Sequence, residues 1–97
     1  MLTKNQKKQL KSLANQLTIR YQVGKNEITE NLLNMLNKAL DAHELIKIDV
    51  MQAVNDHLQE ITLDLSSKLN AEVVQVIGNT IVLYRRNKGK PIIVLVK

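Results

Sequence analysis

Two β-branched runs, Val73 to Ile77 and Thr80 to Tyr84, are separated by Gly78-Asn79 alone. A two-residue link between strands closes as a hairpin, and Gly in the first loop position is the type II′ pattern, because that position takes positive φ. An antiparallel pair near the C-terminus is thereby the best-determined local element, and the rest of the chain has to fold around it.

Upstream the apolar spacing switches repeatedly between helical and extended periods. Thr3 followed by Gln6 reads as a capping box, and Leu10, Leu13, Ala14 and Leu17 then recur at helical spacing, predicting a helix over 4–17. Ile19, Tyr21 and Val23 alternate with Arg20 and Gln22, the period of a half-buried strand ending at Gly24. Ile28, Leu32, Met35, Leu36, Ala39 and Leu40 form the apolar stripe of a second helix, with Thr29 as N-cap, Glu30 in the first turn and an end near Ala42. Ile46, Ile48 and Val50 alternate with Lys47 and Asp49 as a second strand. Ala53 or Val54, Leu58, Ile61, Leu65 and Leu69 give a third helix over 53–69 that exposes Asp56, Glu60 and Asp64. This order predicts an α/β two-layer fold, a four-stranded mixed sheet with three helices in the order α-β-α-β-α-β-β. Arg86 to Pro91 reads as a basic loop, and Ile92 to Val96 as an edge strand or an extended packed tail.

At 97 residues the chain suits a single domain spanning 1–97, with one core. No apolar run approaches the roughly 18 residues of a membrane span, and the lysine-rich start lacks a signal-peptide core. Together with the absence of Cys, this leads us to expect a cytoplasmic protein with no membrane partner. Charge is unevenly laid out. All nine acids lie between Glu27 and Glu72, whereas residues 1–25 and 73–97 hold eleven of the fourteen cations and no acid. If the termini meet, the molecule has one face suited to a polyanion. Lys4, Lys7, Lys8 and Lys11 repeat at helical spacing, their stripe centred roughly 120° from the leucine stripe. The plain alternative is a solvated surface, since lysine-rich helix faces are common.

Catalytic constellations are scarce. His43-Glu44-Leu45-Ile46-Lys47 misses the HExxH zinc motif because Lys47 stands where the second His must be. No nucleophile with a base in reach, paired carboxylates or metal cluster is legible, so catalytic residues, metal ligands and cofactors are all expected to be none, and the chain is not expected to be an enzyme. Gly24-Lys25-Asn26 at a strand-to-helix junction instead suggests a turn with positive φ and free amides at a helix N-terminus, where an anion is favoured. There is no Phe or Trp, only Tyr21 and Tyr84, so stacking of splayed bases is not expected as the main mode; contacts to the phosphate backbone of a nucleic acid fit better.

Val23-Gly24-Lys25-Asn26 leading into Ile28-Thr29-Glu30-Asn31, then His43-Glu44-Leu45-Ile46-Lys47-Ile48, Val74-Gln75-Val76-Ile77-Gly78 and Val82-Leu83-Tyr84-Arg85, resembles the CRM family of chloroplast RNA splicing and ribosome maturation domains. The resemblance runs from Leu2 to Arg85 and is to the stand-alone bacterial, YhbY-like members. It implies an α/β fold similar to the C-terminal domain of a bacterial translation initiation factor. It implies ribosomal RNA and the large ribosomal subunit precursor as partners, and a role in ribosome assembly. It also implies a GxxG-type backbone-clamping loop, with Gly24 and Lys25 on its first two positions and Asn26 next. Glu27 departs from that pattern at the fourth position, where a Gly is usual. Lys47 and Arg85 match basic positions of the family, and Arg86 extends the second of these. The expected RNA-binding set is therefore Lys4, Lys7, Lys8, Lys11, Arg20, Gly24, Lys25, Asn26, Lys47, Arg85 and Arg86, on a monomer. The alternatives are a protein-interaction module docking through the acidic third helix, and a sequence-neutral nucleic-acid binder.

Overall fold

The computed structural model of the chain describes residues 2–24 and 28–97. The elements are α1 (Lys4–Ala14), β1 (Arg20–Val23), α2 (Glu30–His43), β2 (Leu45–Val50), a 3₁₀ segment (Gln52–His57), α3 (Leu58–Leu69), β3 (Glu72–Ile77) and β4 (Thr80–Tyr84). α1 begins as its sequence requires, with the Thr3 hydroxyl accepting from the Gln6 amide and the Gln6 side chain accepting from the Thr3 amide. α2 is capped by Thr29, whose hydroxyl accepts from the Leu32 amide. The hairpin turns on Gly78 at φ +56°, with Asn79 outside the positive-φ region, as a type II′ turn demands.

β1 pairs parallel with β2, β2 antiparallel with β4, and β4 antiparallel with β3, so the sheet order is β1-β2-β4-β3. Ile46, Ile48 and Val50 face one side with Val23, Ile81 and Leu83, where they pack against Leu32, Leu36 and Leu40 of α2 and Ile61, Leu65 and Leu69 of α3. Each such fully buried aliphatic side chain contributes roughly 1.5–3 kcal/mol relative to exposure. The alternate residues face the other side. There Leu45, Val74, Val82 and Tyr84 pack against Leu10 and Ala14 of α1, with Leu13, Leu17, Ile93 and Leu95 closing around them.

Strands, helices and their order agree with the sequence reading, but the layering differs. Helices cover both faces of the sheet, so the molecule has three layers rather than two. Periodicity shows that a helix has one apolar face and is silent about which side of the sheet that face meets. α1 also stops at Ala14 instead of 17, the chain swinging away through turn bonds from Gln16 to Leu13 and from Leu17 to Ala14. The third helix opens as a 3₁₀ segment because the Met51 amide is still tied to the Val23 carbonyl of β1, leaving a short span in which to turn. Met35, expected in the core, is 45% exposed at the edge of the α2 stripe.

Beyond β4, residues 85–97 have no regular secondary structure yet are held along α1. Gln9 clamps this segment in both directions, its amide donating to the Val94 carbonyl at 2.7 Å and its oxygen accepting from the Val96 amide at 2.8 Å. Ile93 and Leu95 turn inward while Ile92, Val94 and Val96 turn out, the alternation of an extended chain without a strand partner.

Candidate nucleic-acid interface

α1 covers only part of its face of the sheet, and what it leaves open is polar. Arg20 of β1 stands beside Lys47 of β2 in the parallel register, and Asp49 of β2 stands beside Thr80 of β4. Asp49 accepts from Arg20 Nη1 at 3.3 Å on each oxygen and from the Thr80 hydroxyl at 2.7 Å. An irregularity in β3 between Val73 and Gln75 lets Val74 pack under α1 while Gln75 reaches the open part of the face. Ala14, Asn15, Arg20, Lys47, Gln75 and Thr80 thus line a cleft of about 150 Å³ between the end of α1 and the sheet.

The lysines of α1 lead away from this cleft along the helix. Asn15 lies one turn beyond Lys11 on the same side of the helix, and Lys7 and Lys4 continue that side back along its length, with Lys8 beside them. Lys4, Lys7 and Lys8 are exposed and Lys11 is half-buried. The opposite flank of α1, with Gln6 and Gln9, is taken up by the C-terminal segment. Lys4, Lys7, Lys8, Lys11, Arg20 and Lys47 therefore share one flank of the molecule.

The remaining expected residues distribute differently. Gly24 follows β1 at the end of the sheet where Val50 and the Gly78-Asn79 turn also lie. Its φ is outside the left-handed region and a Cβ there would meet nothing within 4 Å, so the fold itself does not require glycine at this point, contrary to the positive-φ expectation. Lys25 and Asn26, with Glu27, lie outside the described residues. Arg86 is exposed at the other end of the sheet, where it lines a cavity of about 660 Å³ with Leu2 and Gln6 of the α1 start.

Arg85 turns to the opposite face. Its guanidinium donates to Asn37 Oδ1 and the Leu69 carbonyl at 2.8 Å, to the Asn37 carbonyl at 3.1 Å and to Asp41 Oδ1 at 2.9 Å. A fork so engaged ties the ends of α2 and α3 to β4 and has little left for a ligand. The family pattern marked this position as basic; only tertiary placement shows where its donors go.

Sequence reasoning placed Glu44 within a family motif but did not anticipate its role. It ends α2 at φ +64°, is fully buried, and its carboxylate accepts from the amides of Asn87 at 2.7 Å, Ile92 at 2.8 Å and Ile93 at 2.6 Å. Burial by itself would raise this carboxyl's pKa; the three backbone donors and the charge of Arg86 outweigh it and hold the group below its ordinary range. Burial, with Glu44 nearby, also pushes the Tyr84 phenol up, and its hydroxyl is enclosed without a hydrogen-bond partner. Asp49 and Gln75 were missed. The first was readable from its alternation with Lys47, whereas the second depends on the β3 irregularity.

No group of three or more His, Asp or Glu among the described residues is arranged to hold a metal. Nor is any helix among them long and apolar enough to cross a membrane.

A half-open basic flank on a mixed sheet of this order can be set against known proteins. The CRS1 / YhbY (CRM) domain family model matches residues 2–85. The chain belongs to this family. It is 41% identical over 88 residues to Probable RNA-binding protein YqeI of Bacillus subtilis, covering 91% of this chain and 92% of that one. It is 37% identical over 86 residues to Probable RNA-binding protein PA4753 of Pseudomonas aeruginosa, covering 89% and 83% respectively. The solution structure of the hypothetical protein SAV1595 from Staphylococcus aureus superposes with a TM-score of 0.80 at 41% identity, over 98% of this chain and 99% of that one. Membership of the CRM family, read from four ordered motifs, thus agrees with both sequence and fold.

Proposed function

We propose that this CRM-family chain binds structured RNA through the flank shared by Lys4, Lys7, Lys8, Lys11, Arg20 and Lys47, with Gly24 and the adjoining sequence positions Lys25 and Asn26, and Arg86 at the other end of the sheet, as further contacts. The observation that carries this reading is that the lysine stripe of α1 runs along the helix toward the cleft lined by Arg20 and Lys47, on a flank where Asp49 is already neutralised. Cations so clustered release counterions from a phosphate backbone, a large source of affinity. The names of the Bacillus and Pseudomonas relatives as RNA-binding proteins support the same reading. Arg85 acts in this scheme as a structural tie. We further propose, from the family resemblance, that residues 1–97 work as one monomeric unit in the cytoplasm, assisting ribosome assembly on the large ribosomal subunit precursor without chemistry of their own.

The test is co-sedimentation with large-subunit precursors and binding to their RNA across a salt series. The combined variant Lys7→Gln, Lys8→Gln and Lys11→Gln is expected to lower the slope of log affinity against log salt by about two to three. Binding indifferent to salt contradicts a phosphate-led contact. Unchanged sedimentation of the variant points instead to docking through the acidic α3 face. Equal affinity for duplex DNA and structured RNA points to a sequence-neutral binder.

A further inference from the structure

Lys47 projects from the middle of the sheet, is only 7% exposed, and lines the cleft at the end of α1. Its ammonium makes no hydrogen bond or ion pair with the described residues. The stem of the side chain is packed while its charged end still meets solvent in the cleft, where no carboxylate neutralises it. Asp49 lies on the same strand face but is committed to Arg20 and Thr80. Arg20, Lys47 and Asp49 together leave one uncompensated positive charge. The carbonyl end of α1 at Ala14 and Asn15 lies against the cleft, where its dipole favours a cation. Asn15 and Gln75 add side-chain amides that can donate. The cleft's 150 Å³ is about five water volumes, enough for one tetrahedral oxyanion with residual water.

We propose that this cleft is a discrete phosphate subsite, with Lys47 as its principal donor and Arg20, Asn15 and Gln75 around it, occupied by a backbone phosphate when RNA is bound. This rests on the RNA-binding reading above and adds to it a defined pocket in place of diffuse attraction.

The experiment uses the full chain and its Lys47→Met variant, which keeps the stem and removes the charge. In the wild type, titration with inorganic phosphate is expected to shift the NMR signals of the Asn15 and Gln75 side-chain amides and to raise Tm; in the variant it does neither. On structured RNA the variant should lose about tenfold in affinity and about one unit of salt slope. A variant that still responds to phosphate and binds RNA with unchanged slope overturns the subsite while leaving the wider RNA reading intact. Phosphate binding at the cleft by a wild-type protein that ignores RNA has the reverse meaning: the subsite stands and the RNA reading falls.

Discussion

Glu44 shows how far one side chain can organise a fold of this size. It closes α2 in a backbone conformation that non-glycine residues rarely adopt, then gathers three amides of the C-terminal segment onto one carboxylate. Replacing it by Gln removes the charge and is expected to cost about 1–3 kcal/mol near neutral pH. The sign with pH follows from the lowered folded-state pKa. The stability Glu44 contributes is complete above the unfolded value, about 4.3, and is lost as pH falls through the lower folded value. Urea midpoints should therefore differ between wild type and Glu44→Gln at pH 7, and the gap should narrow in acid as the pH falls below the unfolded value. An unchanged gap in acid would mean that ionisation is not the source. The role of Glu44 escaped sequence reading because a lone Glu between a His and a Leu has no periodic signal; its partners lie more than forty positions away. Lys47 and Asp49 were legible through alternation, but the free state of one and the paired state of the other depend on neighbouring strands.

At the level of elements, α1 is the most informative piece. Its Thr3 cap, leucine stripe and separate lysine stripe can all be read from spacing, and its start is found where expected. What cannot be read is that two glutamines between those stripes hold the C-terminal segment. Gln6 and Gln9 bond the backbone at Val94 and Val96, while Ile93 and Leu95 complete the smaller core. This arrangement predicts that a chain ending at Pro91 loses about 3 kcal/mol, from two half-buried aliphatic side chains and two amides withdrawn from Glu44. Equilibrium urea unfolding measures this directly. A loss below about 0.5 kcal/mol, the range of ordinary surface changes, would show that the segment merely rests on the surface.

On the scale of the whole molecule, β2 and β4 are shared by two cores, one beneath α2 and α3 and one beneath α1. Sharing the sheet should make the cores unfold together. Leu10→Ala, in the smaller core, is expected to cost about 2–5 kcal/mol. Tyr84 reports that core and Tyr21 packs against the other, so their NMR ring signals should vanish at one denaturant concentration in wild type and variant alike. Separate midpoints would mean two independent units. The same sheet organises the charge: cations from α1, β1 and β2 meet on one flank, while exposed Glu60 and Asp64 lie on α3 across the sheet. Local spacing alone determined which segments are helices and strands, where the hairpin turns and that the cations crowd toward the chain ends, because periods of two and 3.6 are properties of neighbouring residues. Tertiary structure alone decided that α1 takes the opposite face, that Arg85 is consumed as a tie and Lys47 left free, and that Glu44 anchors the terminus. Those outcomes depend on which distant groups meet in a region short of water, where each buried donor, acceptor or charge must find a partner or go without.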